Sequence, residues 1–189
     1  IIDAGLERSP DRDDRGREIR RGARGQLDEQ RRETAELLRQ ASGVNTPDEA
    51  TAKFQEVMFS TPNYRAAAER DTHQRWQTLR ERVDKCFHGV EPGVTAVPES
   101  APEPIRQEWY ALVISNLVTE VRRLAYTPRR GFKLTDIDPL VDRVFKSGNQ
   151  PGTFETWFSR RDHTAFETWQ RQEREWQTVM HNAEETVTA

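Results

Sequence analysis

The side chains best suited to chemistry stand at two places, Cys86 with His88 and Asp162 with His163. A thiol and an imidazole together can hold a metal, and a carboxylate can orient a histidine that takes a proton. The spacing opposes both roles. Residues two apart on a helix point roughly 200° from each other, so Cys86 and His88 do not converge on one ion. Adjacent helical residues such as Asp162 and His163 do not face each other. What remains for the first pair is a buried thiol beside a histidine favoured by the negative end of a helix.

The other histidines, His73 and His181, add no H-E-x-x-H and no Glu-x-x-His spacing, the patterns that put two ligands on one helical face. Cys86 is the only cysteine, which excludes an internal disulfide and a multi-cysteine zinc site. There is no glycine-rich phosphate loop followed by Lys-Ser/Thr, and no G-x-S-x-G elbow. The expectation is a protein that is not an enzyme, with no catalytic, cofactor-binding or metal-ligating residues, no cofactor and no small-molecule substrate.

Residues suited to contact are more plentiful. Five tryptophans are many for a chain that is only 34% hydrophobic, and Trp157, Trp169 and Trp176 fall close together. Tryptophan and arginine carry much of the energy at protein interfaces. These three tryptophans, with Arg15, Arg17, Arg20, Arg21, Arg24, Arg129 and Arg130, are the candidate interface residues. Arg122, Arg123, Arg129, Arg130 and Lys133 form the one concentrated basic patch, and a nucleic-acid module using it is an alternative reading. A net charge of -3 argues against that alternative, as nucleic-acid-binding domains are usually basic. The Arg-Gly pairs near the N-terminus lack the interleaved aromatics that stack bases.

Residues 104–126 must position everything else. Trp109, Leu112, Val113, Leu117, Val121 and Leu124 recur at helical spacing, and Ile105, Tyr110, Ile114 and Val118 widen the stripe past half the circumference. Such a helix needs covering by several segments. Trp76, Leu79 and Val83, together with a short helix carrying Leu140 to Phe145, are expected to cover it. Arg106, Glu108, Asn116, Glu120 and Arg122 interrupt the apolar run, so it is not a membrane span.

The predicted fold is all-α, an irregular bundle of about five helices around this central one, with a polar N-terminal arm. Residues 1–25 hold almost no large apolar side chain and read as an extended arm ordered by a partner. Residues 26–189 form the helical domain. Within 26–88, a helix over 26–41 stops at Ser42-Gly43, and Thr46-Pro47-Asp48-Glu49 is a capping box that opens the next. Thr61-Pro62 opens a longer helix running to Gly89. Residues 89–103, with Pro92, Gly93, Pro98 and Pro102, form an extended strap. The last region repeats Phe-Glu-Thr-Trp at 154–157 and 166–169. Copies twelve apart face about 120° from each other on one helix, so either the helix breaks near Asp162-His163 or it shows aromatics to two neighbours. Trp169, Trp176, Val179 and Ala183 continue a pattern of helix-to-helix seams.

Charged residues make up 32% of the chain, mean hydropathy is -0.94 and the pI is about 5.9. A chain this polar buries little of itself. These features point to a non-catalytic accessory subunit, partnered by other proteins of a large assembly and without a membrane span. The chain begins at Ile1, shows no signal-peptide pattern and takes its basic charge almost wholly from arginine. Those points tilt the expectation toward a processed mitochondrial subunit of a respiratory or ATP synthase complex. A phage scaffolding or capsid-associated protein is the further alternative.

Overall fold

The computed structural model describes residues 10–60, 62–125, 130–146 and 153–188, with side chains from 16 to 184 within those ranges, Tyr64 apart. The elements are α1 (Pro10–Ala41), α2 (Pro47–Ser60), α3 (Pro62–Arg70), α4 (His73–Phe87), α5 (Glu103–Ala125), α6 (Ile137–Val141), α7 (Phe154–Arg161) and α8 (His163–Thr188). A 3-10 turn (Leu134–Asp136) precedes α6, and a π-helical turn (Asp142–Lys146) follows it. The fold is all-α, and the described residues contain no strand.

The contacts separate the chain into two units, Ile1–Glu36 and Leu37–Ala189. In the first, the described residues form one helix whose side chains from Arg17 to Glu33 stand in solvent. This corrects the expected extended arm over residues 1–25. Residues 10–25 are helical, while residues 1–9 lie outside the described ones. Pro10 occupies the first helical position, where its missing N–H costs nothing, and no second proline interrupts the run. Arginine, glutamine, glutamate and alanine have high enough helix propensity to carry the backbone through Gly16, Gly22 and Gly25.

In the second unit α5 is the central helix, as the density of apolar positions requires. Trp109, Tyr110, Val113, Ile114, Leu117, Val118, Val121 and Leu124 are all buried, while Leu112 is only half-buried. The expected cover from the Leu140 to Phe145 segment is present, while α2 takes much of the place expected of α4. Helix α2 packs on both α5 and α4, and α6 with the π turn closes another side of α5. Helix α4 reaches α5 through Phe87, whose ring lies 5.9 Å from Tyr110. The small buried Ala50 of α2 permits close helix packing. α2 begins with the anticipated reciprocal cap: the Glu49 N–H donates to Thr46 Oγ1 and the Thr46 N–H to Glu49 Oε2, each at 3.3 Å.

The single helix expected from Pro62 to Gly89 is two helices. Thr72 adopts extended backbone (φ -60°, ψ 129°) as the N-cap of α4, and Arg75 pairs with Asp71 across the break. The apolar period of Trp76, Leu79 and Val83 belongs to α4 alone. Residues 88–102 are non-helical, as the prolines dictate. The strap is pinned by Glu91, which is buried and accepts from Arg82 Nη2 at 2.7 Å and Nε at 3.1 Å. Arg82 also donates to Asp138 at 2.7 Å, which joins α4, strap and α6. Gly89 has φ +67°, and a Cβ there would lie 2.6 Å from the Ala96 Cβ.

The Phe-Glu-Thr-Trp echo resolves through a helix break. α7 ends at Arg161 and α8 begins at His163, with Asp162 as the cap accepting from the Ala165 N–H at 3.0 Å. The break turns both copies onto one cluster. Phe154 and Phe158 of α7 meet Phe166 and Trp169 of α8 at ring separations between 5.5 and 6.1 Å. Trp109 of α5 joins them edge-on, 5.8 Å from Phe154.

Candidate protein interface

The first turns of α8 are anchored by this cluster, and the rest of the helix runs on without apolar cover. Trp176 is 61% exposed, Val179 58% and Met180 43%. At about 100° per residue, Trp176, Val179, Met180 and Ala183 share one strip of the helix. Glu173 and Glu184 border that strip on one margin and Glu175 on the other, while Arg171 and Arg174 fall on the far side. Exposed large apolar side chains are ordinary one at a time; contiguous ones mark contact surfaces.

The structure separates the three candidate tryptophans. Trp169 is 6% exposed, and its Nε1 donates to Ser100 Oγ at 3.2 Å. It is a core residue that ties α8 to the strap, which corrects its placement among the interface anchors. Trp157 is half-buried, packed 5.5 Å from Trp109. Trp176 alone stands out in solvent. Sequence reasoning missed Met180, which follows Trp176 by one turn and supplies part of the exposed edge.

The candidate arginines also divide. Arg17, Arg20, Arg21 and Arg24 lie exposed on α1. The side chains of Arg15 and Arg129 lie outside the described residues. Arg130 donates to Asp136 at 2.5 Å, and Asp136 Oδ2 accepts the Lys133 N–H at 2.9 Å. Arg123 pairs with Glu120 at 3.0 Å, and Arg143 from the π turn reaches the same carboxylate at 2.7 Å. Arg122 has its Nε and Nη1 buried. Of the described patch residues, Arg123 and Arg130 are thus held in local ion pairs, and Lys133 is exposed.

The chemistry-bearing residues do not converge. Cys86 faces the core, where burial, and then the nearby Glu91 carboxylate, push its thiol up to about 12. A thiol so far from ionisation is a poor nucleophile at neutral pH. His88 is on the surface, with Nε2 3.1 Å from Asp48 and 3.7 Å from Asp84. Among the described residues no three His, Cys, Asp or Glu side chains form a metal-sized group. A groove of about 780 Å³ between α2, α3 and α4 has Phe59 and Trp76 in its lining, with Glu69, His73 and Glu81; its rings meet edge to face at 6.0 Å. No helix among the described residues is long and apolar enough to cross a membrane.

No known family, curated protein or solved structure matches the chain. What the fold and surface define is a class: an all-α protein with a buried aromatic cluster where α7 meets α8 and an uncovered apolar edge on α8.

Proposed function

We propose that this chain is a non-catalytic accessory subunit, held with other proteins in a large multiprotein assembly. The observation that carries the reading is the outer part of α8, where Trp176, Val179 and Met180 stand exposed in a row. Removing about 25 cal/mol of unfavourable hydration per Å² makes such an edge a favourable seat for a partner helix. Tryptophan is also the residue most enriched among those that dominate binding.

The setting we propose is a mitochondrial respiratory or ATP synthase complex. Its support is compositional: all but four of the 29 basic residues are arginine, and the net charge is -3, which separates the chain from basic ribosomal proteins. Purification of the native protein under gentle conditions, with mass spectrometry of what accompanies it, tests both statements. A stoichiometric set of respiratory or ATP synthase subunits is expected. Recovery of the chain alone contradicts the assembly reading, and recovery with subunits of another complex contradicts the setting.

A further inference from the structure

Helix α1 carries a surface that complements the outer edge of α8. Ile19 is 66% exposed and Leu27 47%. At about 100° per residue, Ile19, Ala23, Leu27 and Thr34 fall in one strip about 80° wide. Arg20, Arg24 and Arg31 stand along a single margin of that strip, within about 60° of Leu27. Arg31 makes only a loose exposed pair with Asp28, at 3.8 Å. The strip on α8 is bordered instead by acids, with Glu173 and Glu184 on the margin of the same hand.

The spacings agree as well as the charges. Glu173 and Glu184 are separated by eleven residues, and so are Arg20 and Arg31. Each pair therefore spans about 16 Å of helix. Two helices packed face to face and antiparallel are related by an axis perpendicular to both, which brings margins of the same hand together. In that arrangement Glu173 meets Arg31 and Glu184 meets Arg20. The same register sets Trp176 against Leu27 and Met180 against Ala23, a large side chain over a small one in the second layer. A parallel pairing instead sets the acidic margin against the side of α1 that lacks these arginines.

We infer that the apolar edge of α8 is covered by α1 of a second copy of this chain, antiparallel, with the arginine margin of α1 on the acidic margin of α8. This rests on the reading of that edge as an interface and names one occupant for it. Reciprocal pairing closes a two-fold dimer, and one-way pairing gives longer assemblies.

Sedimentation and light scattering of the full chain from micromolar to millimolar concentration test the inference. The expected result is a mass of two or more copies that falls toward one copy as salt is raised. Glu173→Arg with Glu184→Arg, or Arg20→Glu with Arg31→Glu, each shift the association midpoint on the order of tenfold or more to higher concentration. Mixing the two reversed variants in equal amounts restores assembly, since each then offers the charge the other lacks. Circular dichroism of each variant checks that the helices persist, and the mixing experiment reports pairing independently of small losses in stability. A single-copy mass at every concentration overturns the inference, as does assembly that neither reversal weakens. A chain that is monomeric alone yet recovered natively with other subunits leaves the assembly reading standing and removes only this occupant.

Discussion

Buried ionisable groups set how single residues respond to pH. Burial holds the Cys86 thiol protonated up to about 12, against an ordinary value of 9.0. Tyr110 is likewise pushed to about 12 from 10.0 by burial. In the unfolded chain both ionise near their ordinary values, so above pH 9 the unfolded state holds fewer protons than the folded one. Stability is then complete below pH 9 and falls steadily between about 9 and 12. Denaturant titrations across that range are expected to show the decline, with Cys86→Ala losing the part that starts near 9. Flat stability to pH 11 would show that these groups are not buried as described. The core and edge of the molecule differ just as sharply. Leu117, with no exposed surface, is expected to cost about 2–5 kcal/mol on replacement by alanine. In the dilute, dissociated chain Trp176→Asp should alter stability by no more than about 0.5 kcal/mol, as surface changes usually do. Comparable losses from the two would remove the distinction between the buried core and the exposed edge of α8. That distinction was not legible in the sequence, because Trp169 and Trp176 lie seven residues apart on nearly the same helical face. Only the position of α7, folded back beside the start of α8, decides which of them is covered.

At the level of elements, caps and breaks govern where each helix points. Asp162 ends α7 and caps α8, so Asp162→Ala is expected to cost about 0.5–2 kcal/mol and to loosen the aromatic cluster. A near-ultraviolet circular dichroism signal unchanged by the substitution would contradict the second part. The strap tolerates less. Gly89→Ala combines a positive φ with a clash against Ala96 backbone and side chain, and a loss of at least about 1 kcal/mol in thermal or chemical unfolding is expected. The prolines, the Thr46 cap and the dense stripe of α5 were readable because each restricts the backbone locally. The break at Asp71-Thr72 was not, because apolar spacing on both sides of it suits one continuous helix. The helical state of residues 10–25 was hidden for a related reason. Their charges and glycines signal poor burial, yet burial is not what forms an exposed helix; backbone hydrogen bonding and propensity are.

On the scale of the whole molecule, the unit from Leu37 onward puts its apolar residues into one core around α5, while α8 continues past that core with its apolar edge open. All-α class and the central helix followed from composition and periodicity. What covers the open edge did not, since a chain's own sequence displays a surface and leaves its occupant to be found. In the proposed assembly this edge is a covered contact surface. Hydroxyl-radical footprinting of Trp176 and Met180 tests it most directly, comparing the dilute isolated chain with the chain in its native assembly and using buried Trp109 as the internal reference. Ready oxidation of both residues is expected in the isolated chain and strong protection in the assembly, with Trp109, 5% exposed, protected throughout. Equal oxidation of Trp176 and Met180 in both states would contradict it.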